Sequence, residues 1–459
     1  MPRAQPPGRG RGPGHAKIVD QFVISARWVV PVEPAGAVLE HHAVAIRDGA
    51  IEAVVPAQAG TQFGTQFADY ERIDLPDHVL IPGLVNAHTH AAMALMRGMS
   101  DDLPLMRWLQ EHIWPAETQH VSPEFVRDGT ALACAEMLRA GITCFNDMYY
   151  FPQAALEAAR AAGMRVALGL IVIDFPTAYA SDPADYLRKG FELRDRSRED
   201  ALVSFCLAPH APYTVSDPTF RRIATFAAEL DLPVHVHLHE TEHEIERSLA
   251  EHGLRPLERL RRLGLLGPGL IAVHAVHLED HEIQLLAREG CSVAHCPSSN
   301  LKLASGFAPI EALRNAGVNI CLGTDGAASN NRLDIFTEMR TAALLAKAVA
   351  RDASAFPEHA ALRAATLGGA RALGLGTRIG SIEPGKRADL VAVELRAPEL
   401  APCYDPVSHL VYAAGREHVT HVWVDGVQRI ANGEAQNRAS GLDTRWQIWQ
   451  NALRSHADS

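Results

Sequence analysis

Hydrophobic and polar positions along the chain follow two rhythms. From about residue 17 to about 80, short β-rich pieces alternate with turns, as in "KIVDQFVISARWVVPV", "HHAVAIRDGAIEAVVPA" and "ERIDLPDHVLIPG". Near the other end, "GSIEPGKRADLVAVEL" and "VTHVWVDGVQRIANGE" have the same texture, with Asp-Gly and Asn-Gly turn signals. Neither segment can bury a face by itself, so the two are expected to pair into one small β-sandwich.

Between them, apolar or β-branched runs alternate with Ala/Leu/Arg-rich helical text. The runs are "GLVNAHTH" (83–90), "ITCFNDM" (142–148), "RVALGLIV" (165–172) and "VSFCLAPH" (203–210). They continue as "PVHVHLHE" (233–240), "LIAVHAVHL" (270–278), "SVAHCPSSN" (292–300) and "NICLGTDG" (319–326). Eight β/α alternations predict an α/β fold, a (β/α)8 TIM-type barrel. The expected organisation is a tail over 1–16, the sandwich from 17–82 and 377–435, the barrel over 83–376, and a helical tail over 436–459.

Composition narrows the class. A length of 459 residues suits a large barrel with an appendage. A formal charge of -11 lacks the basic footprint of a nucleic-acid binder. The seven cysteines are scattered and form no CxxC, so no disulfide framework or thiolate zinc site is expected, and the setting reads as a reducing cytoplasm. The opening "MPRAQPPGRGRGPGHA" lacks the apolar stretch of a signal peptide and reads as disordered. No apolar run approaches the roughly 20 residues of a membrane span.

The polar residues of the runs carry the chemistry. They collect at the C-terminal ends: His88 and His90, Asn146 and Asp147, His210, His237 and Glu240, His274, His295, and Asp325. That rim is where barrel active sites are built. His88 and His90 at i, i+2 face one way in a strand and can chelate a cation. Together with His237, His274 and Asp325 they compose an N/O donor set suited to zinc or a similar divalent ion. In "VHVHLHET" strict alternation puts His235, His237 and His239 on one face, with His235 deeper and His239 nearer the mouth.

From about residue 17 to about 435 the chain resembles the amidohydrolase superfamily, and within it the 5-methylthioadenosine/S-adenosylhomocysteine deaminases. The resemblance rests on "PGLVNAHTHAAMALMRGMSDDLPLMRWLQEHIWPAE", "APHAPYTVS", "HLHET", "HCPSSNLKLASG" and "LGTDGAASNN". It implies the barrel-plus-sandwich fold and makes His88, His90, His237 and Asp325 ligands of one metal, usually zinc. Two-metal relatives bridge their ions with a lysine on strand four. "VSFCLAPH" has none, which favours a single ion.

By the same resemblance Asp325 also accepts the water proton, His274 orients the attacking oxygen, and Glu240 protonates the ring nitrogen. Glu117 is the ribose-binding carboxylate, His210 contacts the purine, Trp108 packs on the ligand, and Arg165 fits one of two arginines that hold an amino-acid carboxylate. No second arginine is evident, so the uncharged methylthio group is favoured. Met93, Met96 and Met99 are candidates for an apolar thioether wall. His295 and His277 are expected to be structural.

The resulting expectation is a cytoplasmic homo-oligomer with one divalent ion per subunit, zinc foremost, and no nucleic-acid or membrane partner. It would convert 5'-methylthioadenosine to 5'-methylthioinosine and ammonia, with S-adenosylhomocysteine and adenosine as further substrates. The alternatives are a deaminase or chlorohydrolase of another heterocycle (triazine, pterin or guanine), a binuclear cyclic-amide hydrolase, and a barrel scaffold without catalysis.

Overall fold

Each of the eight apolar runs yields one strand of a parallel barrel. In chain order the strands are Leu84–Thr89, Ile142–Asp147, Arg165–Val172, Val203–Pro209, Val234–Leu238, Leu270–His274, Ser292–His295 and Asn319–Leu322. These come from a computed structural model that describes residues 21–57, 62–436 and 442–457. The tail expected over 1–16 lies outside the described residues. Helices such as Pro123–Arg139, Pro152–Ala162 and Asp217–Leu230 follow the strands and cover them outside. Both strand faces are therefore buried, which is why the runs are apolar throughout and do not alternate.

Closure between the first and eighth strands is made by specific polar groups. The Asn86 amide donates to Thr324 Oγ1 at 2.7 Å, and its Oδ1 accepts the Thr324 N–H at 3.0 Å. The Asp325 N–H donates to the His88 carbonyl at 3.0 Å. Gly323 permits this approach, since a Cβ there would sit 2.8 Å from the Cβ of His88. Closing the barrel thus brings His88 and Asp325 together.

The two β-rich ends share one eight-stranded sheet. Leu390–Glu394 pairs antiparallel with Glu71–Pro82, Leu390 opposite Pro82 and Glu394 opposite His78. On its other edge Glu71–Pro82 runs parallel to Gln21–Val29. Alternation puts Phe22, Ile24 and Trp423 in one apolar layer, and Val23, Ala45 and Phe67 in another. Helix Leu442–Ala457 docks on the barrel, where Arg445 and the Trp449 indole each donate to Asp128 at 3.0 Å. Among the described residues no helix is long and apolar enough to cross a membrane.

One expected site residue belongs to this framework instead. Arg165 opens the third strand, at the barrel end opposite the polar rim. Its guanidinium grips Asp389 through two hydrogen bonds of 2.9 Å and reaches Asp425 at 3.0 Å. The expectation that it binds a substrate carboxylate is corrected: it is buried, its donors are committed, and it joins the barrel floor to the sheet.

Candidate active site

A cavity opens over the C-terminal ends of the strands. His90, Glu117, His210, His237, Glu240, His274 and Asp325 line it beside a largely apolar wall that includes Trp108, Trp114, Tyr149, Tyr150, Ile171 and Ile173. At its base, one ligand atom from each of His88, His237, His274 and Asp325 lies within 4.8 Å of the others. His90 adjoins the group, its Nε2 standing 3.2 Å from Asp325 Oδ1, the same distance as the Nε2 of His88.

Each imidazole is aimed by a hydrogen bond from its far nitrogen. His237 Nδ1 lies 2.8 Å from the carbonyl of His210, and His90 Nδ1 lies 2.6 Å from that of Met148. A carbonyl only accepts, so both rings carry a proton on Nδ1 and turn Nε2 to the group. His88 Nδ1 meets His235 Nε2 at 3.0 Å, which gives His235 a place directly beneath. Burial pushes His88 down to about 4 and His237 well below the ordinary histidine range. Burial opposes ionisation of Asp325 too, but the hydrogen bonds from His88 and His90 outweigh it and hold its carboxyl well below the usual range. Asp325 in turn holds His90 up to about 9 against burial, and histidine nitrogens that give up such a proton around an ionised carboxylate are the donor set that a zinc ion takes.

Asp325 is held from three sides. Ser299 and Ser329 donate their hydroxyls to Oδ2 at 2.6 and 2.8 Å, and the Gly326 N–H donates to Oδ1 at 2.8 Å. Behind the serines stands the buried Glu338, which accepts the Ser298 N–H and the Asn330 amide and so ties their two short helices together.

The upper cavity holds the other acids. Glu240 is buried with Oε1 3.8 Å from His274 Nε2, and burial raises its carboxyl above the ordinary range. Glu117 accepts the Tyr149 hydroxyl at 2.7 Å, and burial pushes it up to about 7. Trp108 and Glu117 reach the cavity from one helical stretch that loosens into a π-turn over Trp108–Ile113. Pro115 lacks the N–H that the Glu111 carbonyl would need in an α-helix, which explains the looser turn. His210 holds Thr214 Oγ1 at 2.9 Å through Nδ1, and burial lowers it to about 3.

The histidine alternation breaks at one point. His235 and His237 share the barrel interior, but the strand ends at Leu238 and His239 turns into the left-handed region with φ +55°. Its ring swings away from the mouth, Nδ1 to the His277 carbonyl at 3.0 Å and Nε2 to the Leu257 N–H at 3.0 Å. Of the three methionines only Met93 lines the cavity; Met96 and Met99 pack in the core. His277 is tied to the Ser305 carbonyl at 2.7 Å, and His295 is buried outside the lining. Asn146 and Asp147 serve the backbone, bonding the Ala87 carbonyl and the Ala91 N–H.

Sequence reasoning passed over Tyr149, Ser299, Asn300, Ser329, Glu244 and Glu338. The only signal for the serines and Asn300 was their place inside the quoted "HCPSSN" and "DGAASNN" segments.

Comparison with known proteins agrees with this geometry. Residues 79–429 match the Amidohydrolase family. The chain is 49% identical to a 5-methylthioadenosine/S-adenosylhomocysteine deaminase of Saccharophagus degradans, across 95% of this chain and 98% of that one. It is 44% identical to the protein of the same name from Moorella thermoacetica, across 91% and 95%. Among solved structures, an adenosine deaminase from Xanthomonas campestris with bound zinc superposes with a TM-score of 0.91 at 52% identity, covering 95% and 98%.

Proposed function

This chain belongs to the amidohydrolase family, and from that premise we propose that it is a zinc-dependent hydrolase that deaminates adenosine-type nucleosides, 5'-methylthioadenosine foremost. The observation that carries the reading is convergence. One cavity brings together a buried His/Asp donor set, a buried acid at Glu240 and a second acid at Glu117.

His88, His90, His237 and Asp325 would hold the ion, with His274 against it. Zinc held there supplies a Lewis acid that lowers the pKa of water toward neutrality. Asp325 accepts the proton that the attacking water gives up. His274, whose Nδ1 is tied to Asn300 at 2.8 Å, offers Nε2 as an acceptor that orients this water. Glu240, whose carboxyl burial raises above the ordinary range, delivers its proton to the purine nitrogen beside C6. Proton transfer to the exocyclic amine then releases ammonia and leaves the 6-oxo purine.

Glu117 would accept hydrogen bonds from both ribose hydroxyls, while neutral His210 contacts the base and Trp108 covers the ligand. The side-chain chemistry of the wall favours the 5'-methylthio group. Ile171, Ile173, Tyr150 and Trp114 offer apolar contact, and no lysine or arginine stands among the described lining residues. The carboxylate of S-adenosylhomocysteine would meet Glu117 and Glu240 without a lysine or arginine to offset them. Adenosine would leave the apolar wall uncovered.

The test is a comparison of zinc-loaded enzyme on 5'-methylthioadenosine, adenosine and S-adenosylhomocysteine, following the adenine-to-hypoxanthine absorbance change and ammonia. kcat/KM should fall in that order. No absorbance change with any of the three would overturn the reading.

A further inference from the structure

We propose that Glu244 is the positioning residue that aims Glu240. This rests on the reading of Glu240 as the proton donor, and adds what holds that donor in place.

Glu244 lies in the first turn of helix Glu242–His252, where its own N–H is capped by Thr241 Oγ1 at 3.3 Å. Its side chain turns back toward the strand end. Oε1 accepts the His239 N–H at 2.9 Å and Oε2 accepts the Glu240 N–H at 2.9 Å. Two successive amides converge in this way because His239 is left-handed, with φ +55°. A left-handed residue turns neighbouring N–H groups into a small concave anion site. Here the chain fills it with its own acidic side chain, whose carboxyl burial pushes up to about 8 against the two amide hydrogen bonds.

Two features separate this arrangement from ordinary helix capping. Glu244 is only 3% exposed, and its hydrogen bonds are to backbone amides without a lysine or arginine partner. Burying an acidic group without a countercharge opposes folding, so an apolar residue would serve stability better. What the carboxyl group gains is geometry. It fixes a left-handed conformation, uncommon outside glycine, at the residue directly before Glu240. The ring of His239 is pinned independently by His277 and Leu257, so the strand end is held at both backbone and side chain. Without the Glu244 acceptors, His239 can relax toward an extended torsion. That rotation would swing Glu240 from its place 3.8 Å from His274 Nε2.

A double-mutant cycle tests this, using Glu244→Gln, Glu240→Gln and the pair in the zinc-loaded enzyme. A glutamine can accept at only one of the two amides. Glu244→Gln should lower kcat about 100-fold, the cost of a misplaced catalytic group, with KM within about threefold. Zinc content and melting temperature should stay near those of the parent protein. Binding of a purine-riboside analogue with a tetrahedral hydroxylated C6 and a ring N–H should weaken by the same factor, while 5'-methylthioinosine binds as before. In the Glu240→Gln background the second change should cost nothing further, because the two residues act as one unit. A kcat within threefold of the parent, or an undiminished loss in the Glu240→Gln background, overturns the role of Glu244. An active Glu240→Gln enzyme overturns the reading of Glu240, and this proposal with it. If Glu244→Gln does not fold, Glu244→Asp, which keeps the carboxyl group but shortens the reach, carries the same cycle.

Discussion

The Nδ1 atom of His274 lies 2.8 Å from Oδ1 of Asn300, and both side chains are buried. An amide oxygen only accepts, so the imidazole proton sits on Nδ1 and the lone pair of Nε2 faces the cavity. His274 can then act toward a water only as an acceptor, in one orientation. Replacing Asn300 with alanine should release that choice and lower kcat about 10- to 100-fold, the usual range for a residue that orients a metal-site histidine. Steady-state kinetics with parallel zinc analysis checks this; unchanged kcat would disconnect Asn300 from the chemistry.

Glu117 gives a pH signature. Burial pushes its carboxyl up to about 7, whereas binding a vicinal diol calls for the ionised form with two free acceptors. As pH falls through about 7 the carboxyl takes up a proton, so kcat/KM for nucleosides should decline on that side and level above it. Glu117→Gln should remove this limb and depress kcat/KM for nucleosides at every pH, with free adenine little affected. Profiles of both substrates across the neutral range decide the matter.

Removing the ion should affect both activity and stability. Chelation should abolish turnover, and about one equivalent of zinc per chain should restore it. The donor atoms of His88 and His237 come from the first and fifth strands and that of Asp325 from just past the eighth, so a bound ion cross-links the barrel at its closure. An ion present at a thousandfold over its Kd contributes about 4 kcal/mol to the folded state. Calorimetry should therefore show a lower Tm for the apo form, and equal values would contradict this account.

Arg165 should behave as a structural residue. Its loss breaks the buried ion pair with Asp389 beneath the barrel, which costs about 3–5 kcal/mol. Arg165→Ala should unfold at clearly lower denaturant, while the ratio of kcat/KM for 5'-methylthioadenosine and S-adenosylhomocysteine stays as in the parent. A selective loss of S-adenosylhomocysteine turnover would return Arg165 to the binding site.

The features legible in the sequence were those with a local physical signature. Eight strands buried on both faces make eight apolar runs, and their polar tips mark the functional end, so His88, His237, Glu240, His274 and Asp325 could be placed on one rim. Arg165 could not be placed, because a cation at a strand start looks the same whether it faces substrate or an aspartate from the sheet. His239 was misjudged because alternation assumes that the strand continues, and a single left-handed torsion leaves no mark in the residue pattern. Asn300, Ser299 and Glu338 act through contacts made only when separate strand ends meet, which no local window contains.

The sheet shared by the two ends imposes an order on synthesis. Strand Glu71–Pro82 is made before the barrel, yet one of its edges stays unpaired until Leu390–Glu394 follows. Through that interval the nascent chain carries a row of open N–H and C=O groups, a template for other strands. All eight barrel strands have been made by then. A message cut short after the barrel would thus yield every metal ligand and still leave an adhesive edge, so the closing segment works for the growing chain as a cover against aggregation.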